Sequence, residues 1–249
     1  MSQSLERGLD ALLFLSTRKS VGVTELAKEL TINKSTAFRI LETLQRYNMA
    51  EKNKETSKYK LGPAILKLSQ QLYKNLNIIS AARPLMTAYS AEVGEAVHLC
   101  ILSNDSAVII EQVMTDSRIT VNAKVGKREP LHASSVGKCL WAFSEMEIKE
   151  KLLSSINYEK FTERTIVEAD AMRKELDKIR ETGYAVDDLE LSEEIRCVAA
   201  PVFNHNGEAL YAIGISGPAY RLKDQRLEAV ASGLKAVAIK ISEQLGYSN

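Results

Sequence analysis

Apolar residues near the start of the chain fall at Leu5, Leu9, Leu12, Leu13 and Leu15, a spacing that predicts a helix. Gly22 breaks the pattern, and Thr24 is placed to cap a second helix with Leu26 and Leu30 on its inner face. The triplet "TIN" makes a tight turn, and Asn33 suits the cap of a third helix. There Ala37, Ile40, Leu41 and Leu44 form one stripe, while Ser35, Arg39, Glu42 and Arg46 occupy another face. "MAEKNKETSKYKLG" then reads as strand, polar turn and strand. Next, "GPAILKLSQQLYKNL" spaces Ile65, Leu66, Leu68, Leu72 and Leu76 as in a helix, with Pro63 suited to its first turn.

Beyond this point the periodicity alternates between two kinds. "IISAARPLMTAYSAEVG" predicts a helix that Pro84 starts or kinks. "AVHLCIL", "AVIIEQV" and "ITVNAKV" read as strands separated by the polar turns "SNDS" and "TDSR". Helices are expected over roughly 135–154 and 168–182. "GYAVDD", "IRCVAAPVF" and "EALYAIGIS" are further strands, with "NHNG" as the hairpin turn between the last two. An amphipathic helix running to Gly246 closes the chain. Strands mixed with helices, with an antiparallel pair near the end, point to an α+β domain around one sheet.

Composition narrows the class. The 249 residues are 45% hydrophobic and 26% charged, an ordinary globular balance. No apolar run is long enough to cross a bilayer, and "MSQSLERGLD" has no apolar core after a basic start, so neither membrane span nor secretory signal is expected. Cys100, Cys139 and Cys197 are isolated and odd in number, which favours a reducing cytoplasm over a disulfide scaffold or zinc ribbon. Net charge is only +1, but residues 1–74 hold 13 Lys+Arg against 7 Asp+Glu, and the rest 20 against 25. A basic head on an acidic body predicts a polyanionic partner for the head.

Two short helices joined by a tight turn, the second opening with small polar and basic residues, match a helix-turn-helix. Lys34, Ser35, Thr36 and Arg39 stand where such a helix meets the major groove. Lys52, Lys54 and Lys58 crowd the following hairpin, a wing suited to phosphates or the minor groove. The competing reading is a three-helix bundle with a solvated basic face.

These residues resemble a known family. "GVTELAKELTINKSTAFRILETLQRYNMAEKNKETSKYKLG" is similar to the winged helix-turn-helix of IclR-type bacterial transcription regulators. The likeness continues through "GKREPLHASSVGKCLWAF" and "IRCVAAPVFNHNGEALYAIGISGPAYRL", so three motifs in order span nearly the whole chain. It implies a DNA-binding domain over 1–61, a linker helix over 62–77 that transmits effector state, and a GAF-like effector-binding domain over 78–249. It also implies operator DNA and a small organic acid as ligands, and a homodimer or a tetramer made of dimers.

The stretch "HASSVGKC", residues 132–139, invites several chemistries. A P-loop needs a glycine five positions before Gly137, where His132 stands, and a hydroxyl where Cys139 stands. A hydrolase elbow needs a glycine that "ASSVG" lacks. His132, Ser135 and Asp187 make a triad only on paper. Three histidines without HxxxH or CxxC spacing give a weak metal signal, and no metal or cofactor is assigned. His98 and Cys100 share one strand face, in a core or a pocket. The remaining reading is anion recognition, with Ser134 or Ser135 capping a helix whose first N–H groups receive a carboxylate.

The family resemblance implies that this loop offers its effector the backbone of Ser135 and Val136, where smaller Gly and Ala occur in relatives. It implies pocket roles for Asp187, Cys197 and Ser216, and it puts Gly214 where a serine is common. Trp141 and Phe143 read as core. The expected protein is therefore a cytoplasmic transcription regulator controlled by a small metabolite, read as a repressor rather than an activator, and not an enzyme. The alternatives are a redox-responsive regulator using Cys139 or Cys197, or a ligand-processing domain tethered to DNA.

Overall fold

A computed structural model describes residues 2–75, 77–115, 121 and 124–248. The chain divides into two compact units, Met1–Asn77 and Ile78–Asn249.

The first unit contains helices α1 (Gln3–Ser16), α2 (Val23–Glu29) and α3 (Lys34–Arg46), strands β1 (Ala50–Lys52) and β2 (Tyr59–Leu61), and helix α4 (Ala64–Asn75). Its core joins Ala11 and Leu15 to Leu26, Ala37, Leu41 and Tyr59. Of the leucines that mark α1, Leu15 is buried while Leu5, Leu9 and Leu13 are exposed. The inward row instead passes through Ala11 and Leu15, four residues apart on one helix face. Asn33 caps α3 by accepting a hydrogen bond from Thr36 N at 2.8 Å. Thr24 does not cap α2. Gly22 holds that position, and its N–H donates to Glu25 Oε2 at 2.8 Å, because the longer glutamate reaches back over the first turn. The β1–β2 hairpin pairs Ala50 with Leu61, and Val21 adds two backbone hydrogen bonds to Tyr59. Helix α4 forms over the apolar stretch after the wing, although the side chain of Leu72 and all of Leu76 lie outside the described residues.

The second unit opens with α5 (Asn77–Val93), which contains Pro84. There follow β3 (Ala96–Ser103), β4 (Ser106–Val113), β5 (Arg128–Pro130), α6 (Ser135–Phe143), α7 (Met146–Ser155), α8 (Ala169–Thr182), β6 (Ala185–Asp188), β7 (Ile195–Phe203), β8 (Ala209–Pro218) and α9 (Asp224–Gln244). The strands form one antiparallel sheet in the order β5-β4-β3-β8-β7-β6. The unit is thus α+β, with β3 and β8 at the centre of the sheet and β7 beside β8, each carrying a continuous run of buried residues. The expected strand over 119–125 falls largely outside the described residues. Strand β5 was not apparent in the sequence because it has three residues and ends in proline.

The single helix expected over 135–154 is two helices. Ser144 turns extended after α6, and both its N–H and its Oγ hydrogen-bond to Trp141 O, so the carbonyl that would continue the helix is occupied. Helix α6 packs on the sheet face formed by Cys100, Ala199 and Ala212, with Cys139, Leu140 and the fully buried Trp141 in that core.

Candidate functional site

In the first unit, α3 presents Lys34, Ser35 and Arg39 to solvent and leaves Thr36 half-buried. Ser35 Oγ donates to Asn33 Oδ1 at 2.8 Å, which fixes its hydroxyl beside the helix start. Thr36 and Arg39 line a surface groove with Arg7 of α1, a basic residue the helix-turn-helix pattern did not single out. On the wing, Lys54 is exposed. Lys52 lies with its ammonium 5.5 Å from the centre of the Tyr59 ring, and Lys58 pairs with Glu25 at 3.1 Å. The Gly22 N–H and Lys58 together hold the Glu25 carboxyl below its usual range. The wing therefore carries four lysines, of which Lys58 is bridged to Glu25 of α2 and Lys60 to Glu51 of β1.

The second unit builds its site where the start of α6 meets the sheet. Register places Asp187 opposite Cys197 and Cys197 opposite Ser216; two residues further along, His98 stands opposite Gly214. Residues two apart on a strand share a face. Ser134 caps α6: its Oγ accepts from Gly137 N at 3.1 Å and donates to Pro130 O at 2.7 Å. The N–H groups of Ser135 and Val136, in the first turn, have no intrahelical acceptor. Ser135, Val136, Asp187, Cys197 and Ser216 all line one cavity of about 70 Å³, so residues separated by up to 81 positions converge. His98, Glu129 and Ser134 line it as well. The alternation of His98 with Cys100 could have pointed to the first of these, since it left that strand face open to a pocket.

Among the described residues, Lys127 is the one cationic side chain in the cavity wall, alongside the carboxyls of Glu129 and Asp187 and apolar groups such as Val136 and Ile195. Burial pushes the Asp187 carboxyl up to about 7, against two backbone N–H donors, Glu190 N at 2.7 Å and Leu191 N at 3.3 Å. Burial, with the charge of Lys127 second, lowers the His98 imidazole to about 4, so it is neutral near pH 7. Cys197 Sγ lies 3.0 Å from Ser216 Oγ, and burial together with Asp187 pushes its thiol well above the usual range. Burial does the same to Cys139 and Cys100.

These facts weigh against the competing chemistries. His132 Nε2 is 2.8 Å from Glu159 O, and the Ser135 hydroxyl has no partner, so no triad forms. Cys100 and Cys139 are buried and Cys197 is half-buried, and thiols held protonated in this way are poor nucleophiles and poor peroxide sensors. Among the described residues no group of three or more His, Cys, Asp or Glu is arranged to hold a metal. Among them too, no helix is long and apolar enough to cross a membrane.

Comparison with known proteins gives this arrangement a lineage. The family model for the bacterial transcriptional regulator IclR C-terminal domain matches residues 70–243, and that for the IclR helix-turn-helix domain matches residues 4–54. The chain is 32% identical to the HTH-type transcriptional regulator KdgR of Escherichia coli K12, covering 94% of this chain and 89% of that one. It is 31% identical to the HTH-type transcriptional repressor AllR of the same strain, covering 98% and 91%. The fold matches that of an IclR homologue from Microbacterium hydrocarbonoxydans, solved as a complex with 4-hydroxybenzoate, with a TM-score of 0.86 at 22% identity over 99% of this chain and 100% of that one. A winged basic head, a second α+β unit and these matches over nearly the full length agree: the chain belongs to the IclR family of DNA-binding bacterial transcriptional regulators.

Proposed function

We propose that the protein is a cytoplasmic repressor whose hold on operator DNA is set by a small organic acid bound in the second unit. One observation carries this reading: five residues assigned to an effector pocket converge on a single cavity at the start of α6. A carboxylate there meets the free N–H groups of Ser135 and Val136 and the positive end of the helix dipole, so no cationic side chain is needed. Asp187, Cys197 and Ser216 supply polar contacts from the sheet. The AllR relative is named a repressor, and the Microbacterium homologue holds an aromatic carboxylate, which supports the sign of control and the class of ligand.

At the other end, Lys34, Ser35, Thr36 and Arg39 read the major groove, and Lys52, Lys54 and Lys58 hold adjacent phosphates. The functional divisions are a head over 1–61, a linking helix over 62–77 and a GAF-like sensor over 78–249. Paired heads in a homodimer, or in a tetramer of two dimers, match an operator with two half-sites. The effector then shifts the balance between DNA-competent and incompetent arrangements by its differential affinity for them.

The test is a gel-shift titration with the DNA upstream of the protein's own gene. Small carboxylic acids that raise the melting temperature of the full chain are added in turn. Release of the DNA by one of them supports the reading; acids that bind without changing DNA affinity sink it.

A further inference from the structure

Helix α3 turns four residues outward at the spacing with which a recognition helix reads base edges, i, i+3, i+4 and i+7. They are Ser35, Phe38, Arg39 and Glu42, and all four are exposed. Three of them are polar or charged, as contact with nucleic acid requires. Phe38 is the exception, an aromatic side chain left 40% exposed in the middle of this row. The apolar stripe of α3 faces another way: Ala37 and Leu41 are buried, and Ile40 and Leu44 pack against the core of the head. Phe38 takes no part in that core.

A single exposed apolar residue is ordinary and by itself marks nothing. What distinguishes Phe38 is its position in the first half of α3, the end of a recognition helix that enters the groove. Ser35 Oγ is already tied to Asn33 Oδ1, which leaves Phe38, Arg39 and Glu42 as the side chains with reach. A phenyl ring neither donates nor accepts a conventional hydrogen bond. Set against the polar edge of guanine, adenine or cytosine, it would strip water from groups that gain no partner. Thymine differs, because its C5 methyl projects into the major groove and takes apolar contact.

We infer that Phe38 is a specificity-determining residue of the head, its ring packing on the C5 methyl of one thymine in each operator half-site. That thymine lies beside the guanine that Arg39 contacts, since adjacent residues of one helix reach adjacent steps of the groove. The inference rests on the reading of α3 as the major-groove helix, and it adds a base that the polar residues of the row do not select.

Uracil tests it, because it pairs as thymine does and lacks only the methyl. The full chain is used to select its preferred site from random-sequence duplexes, and each thymine of that site is then replaced by uracil in turn. For the parent, one such replacement in each half-site is expected to weaken binding about fourfold, the effect of losing one buried methyl-sized group. Phe38→Ala should bind the thymine and uracil forms equally. Phe38→Gln, a change to a good helix former at an exposed position, gives the same comparison if the alanine protein does not fold. Guanines replaced by a deaza analogue that lacks the major-groove nitrogen follow Arg39 separately; that sensitivity should persist in Phe38→Ala and vanish in Arg39→Ala. A parent indifferent to every uracil, or a thymine preference that survives Phe38→Ala, overturns the inference and leaves the α3 reading standing. If the deaza guanines also change nothing in the parent, the reading of α3 as the groove helix falls with it.

Discussion

The ammonium of Lys138, a side chain with no solvent exposure, is ion-paired with the carboxylate of Glu190, 52 residues away. The pair fastens the second half-turn of α6 to the segment after β6. Glu190 N donates in turn to Asp187 Oδ1, so the ion pair holds one wall of the cavity through a single residue. Glu175 stands 3.8 Å from the same ammonium. Breaking one side of a buried pair leaves a charge without compensation, at a cost of about 3–5 kcal/mol. Lys138→Met is therefore expected to destabilise the second unit by that order, and adding Glu190→Leu should recover most of it. Urea unfolding followed by the fluorescence of Trp141, the single tryptophan, measures both; equal stability of Lys138→Met and the parent would contradict the coupling.

Asp187 makes stability depend on pH in a defined direction. Its carboxyl rises from an ordinary 3.8 to about 7 on folding, chiefly through burial. Between these values the folded state holds a proton that the unfolded chain has released. The group's contribution is thus fully present below about pH 4, declines as pH rises, and is gone above about pH 7. Glu190, also raised by burial, acts in the same direction. Asp187→Asn should flatten the fall in urea midpoint between pH 4 and 7 and raise the midpoint at pH 8.

Gly137 is needed where it stands in "HASSVGKC". A Cβ there would lie 2.6 Å from Leu131 Cα and 2.7 Å from Pro130 O, and both are backbone atoms that cannot swing aside. Gly137→Ala must displace α6 or the 130–131 segment, at a cost typical of overpacking, about 1–3 kcal/mol. The start of α6 moves with it, so acid-induced thermal stabilisation should shrink along with the melting temperature.

On the head, two substitutions should separate reading from holding. Arg39→Ala is expected to lower the preference for operator over random DNA. Lys54→Ala should weaken both about equally and reduce the slope of log affinity against log salt by about 0.9, the value for one phosphate contact. Gel shifts at several salt concentrations distinguish them. An Arg39→Ala protein with undiminished operator preference removes that residue from base recognition.

Cysteine oxidation should not control DNA binding. All three thiols are held protonated by burial, and Cys139 is fully enclosed. Peroxide treatment of the Cys139→Ser and Cys197→Ser proteins should leave operator affinity at the level of the treated parent. A loss confined to the parent would instead revive the redox reading.

The head was legible because its determinants are local. Apolar spacing, the Asn33 cap and the alternation of the wing belong to contiguous residues, and α1, α3 and the hairpin form where those patterns lie. Even there, which row of α1 faces inward depended on its neighbours, and Ala11 prevailed over the leucines at 5, 9 and 13. Thr24 lost the cap of α2 to Gly22 because a glutamate three residues on could reach back.

The second unit was legible as elements and not as a site. Its strands and most of its helices follow periodicity, but the break at Ser144 depends on one hydroxyl taking a helix carbonyl, which no period records. The pocket positions Ser135, Val136, Asp187, Cys197 and Ser216 came from family likeness rather than from pattern. Sequence by itself determined the family, the basic head, the element types and the capped start of α6, because these rest on spacing along the chain. Only the tertiary structure decided that His98 lines a cavity, opposite Gly214, and that Lys138 meets Glu190. Those relationships depend on the register of β3 against β8 and on the packing of α6 on the sheet, distances that linear separation does not encode.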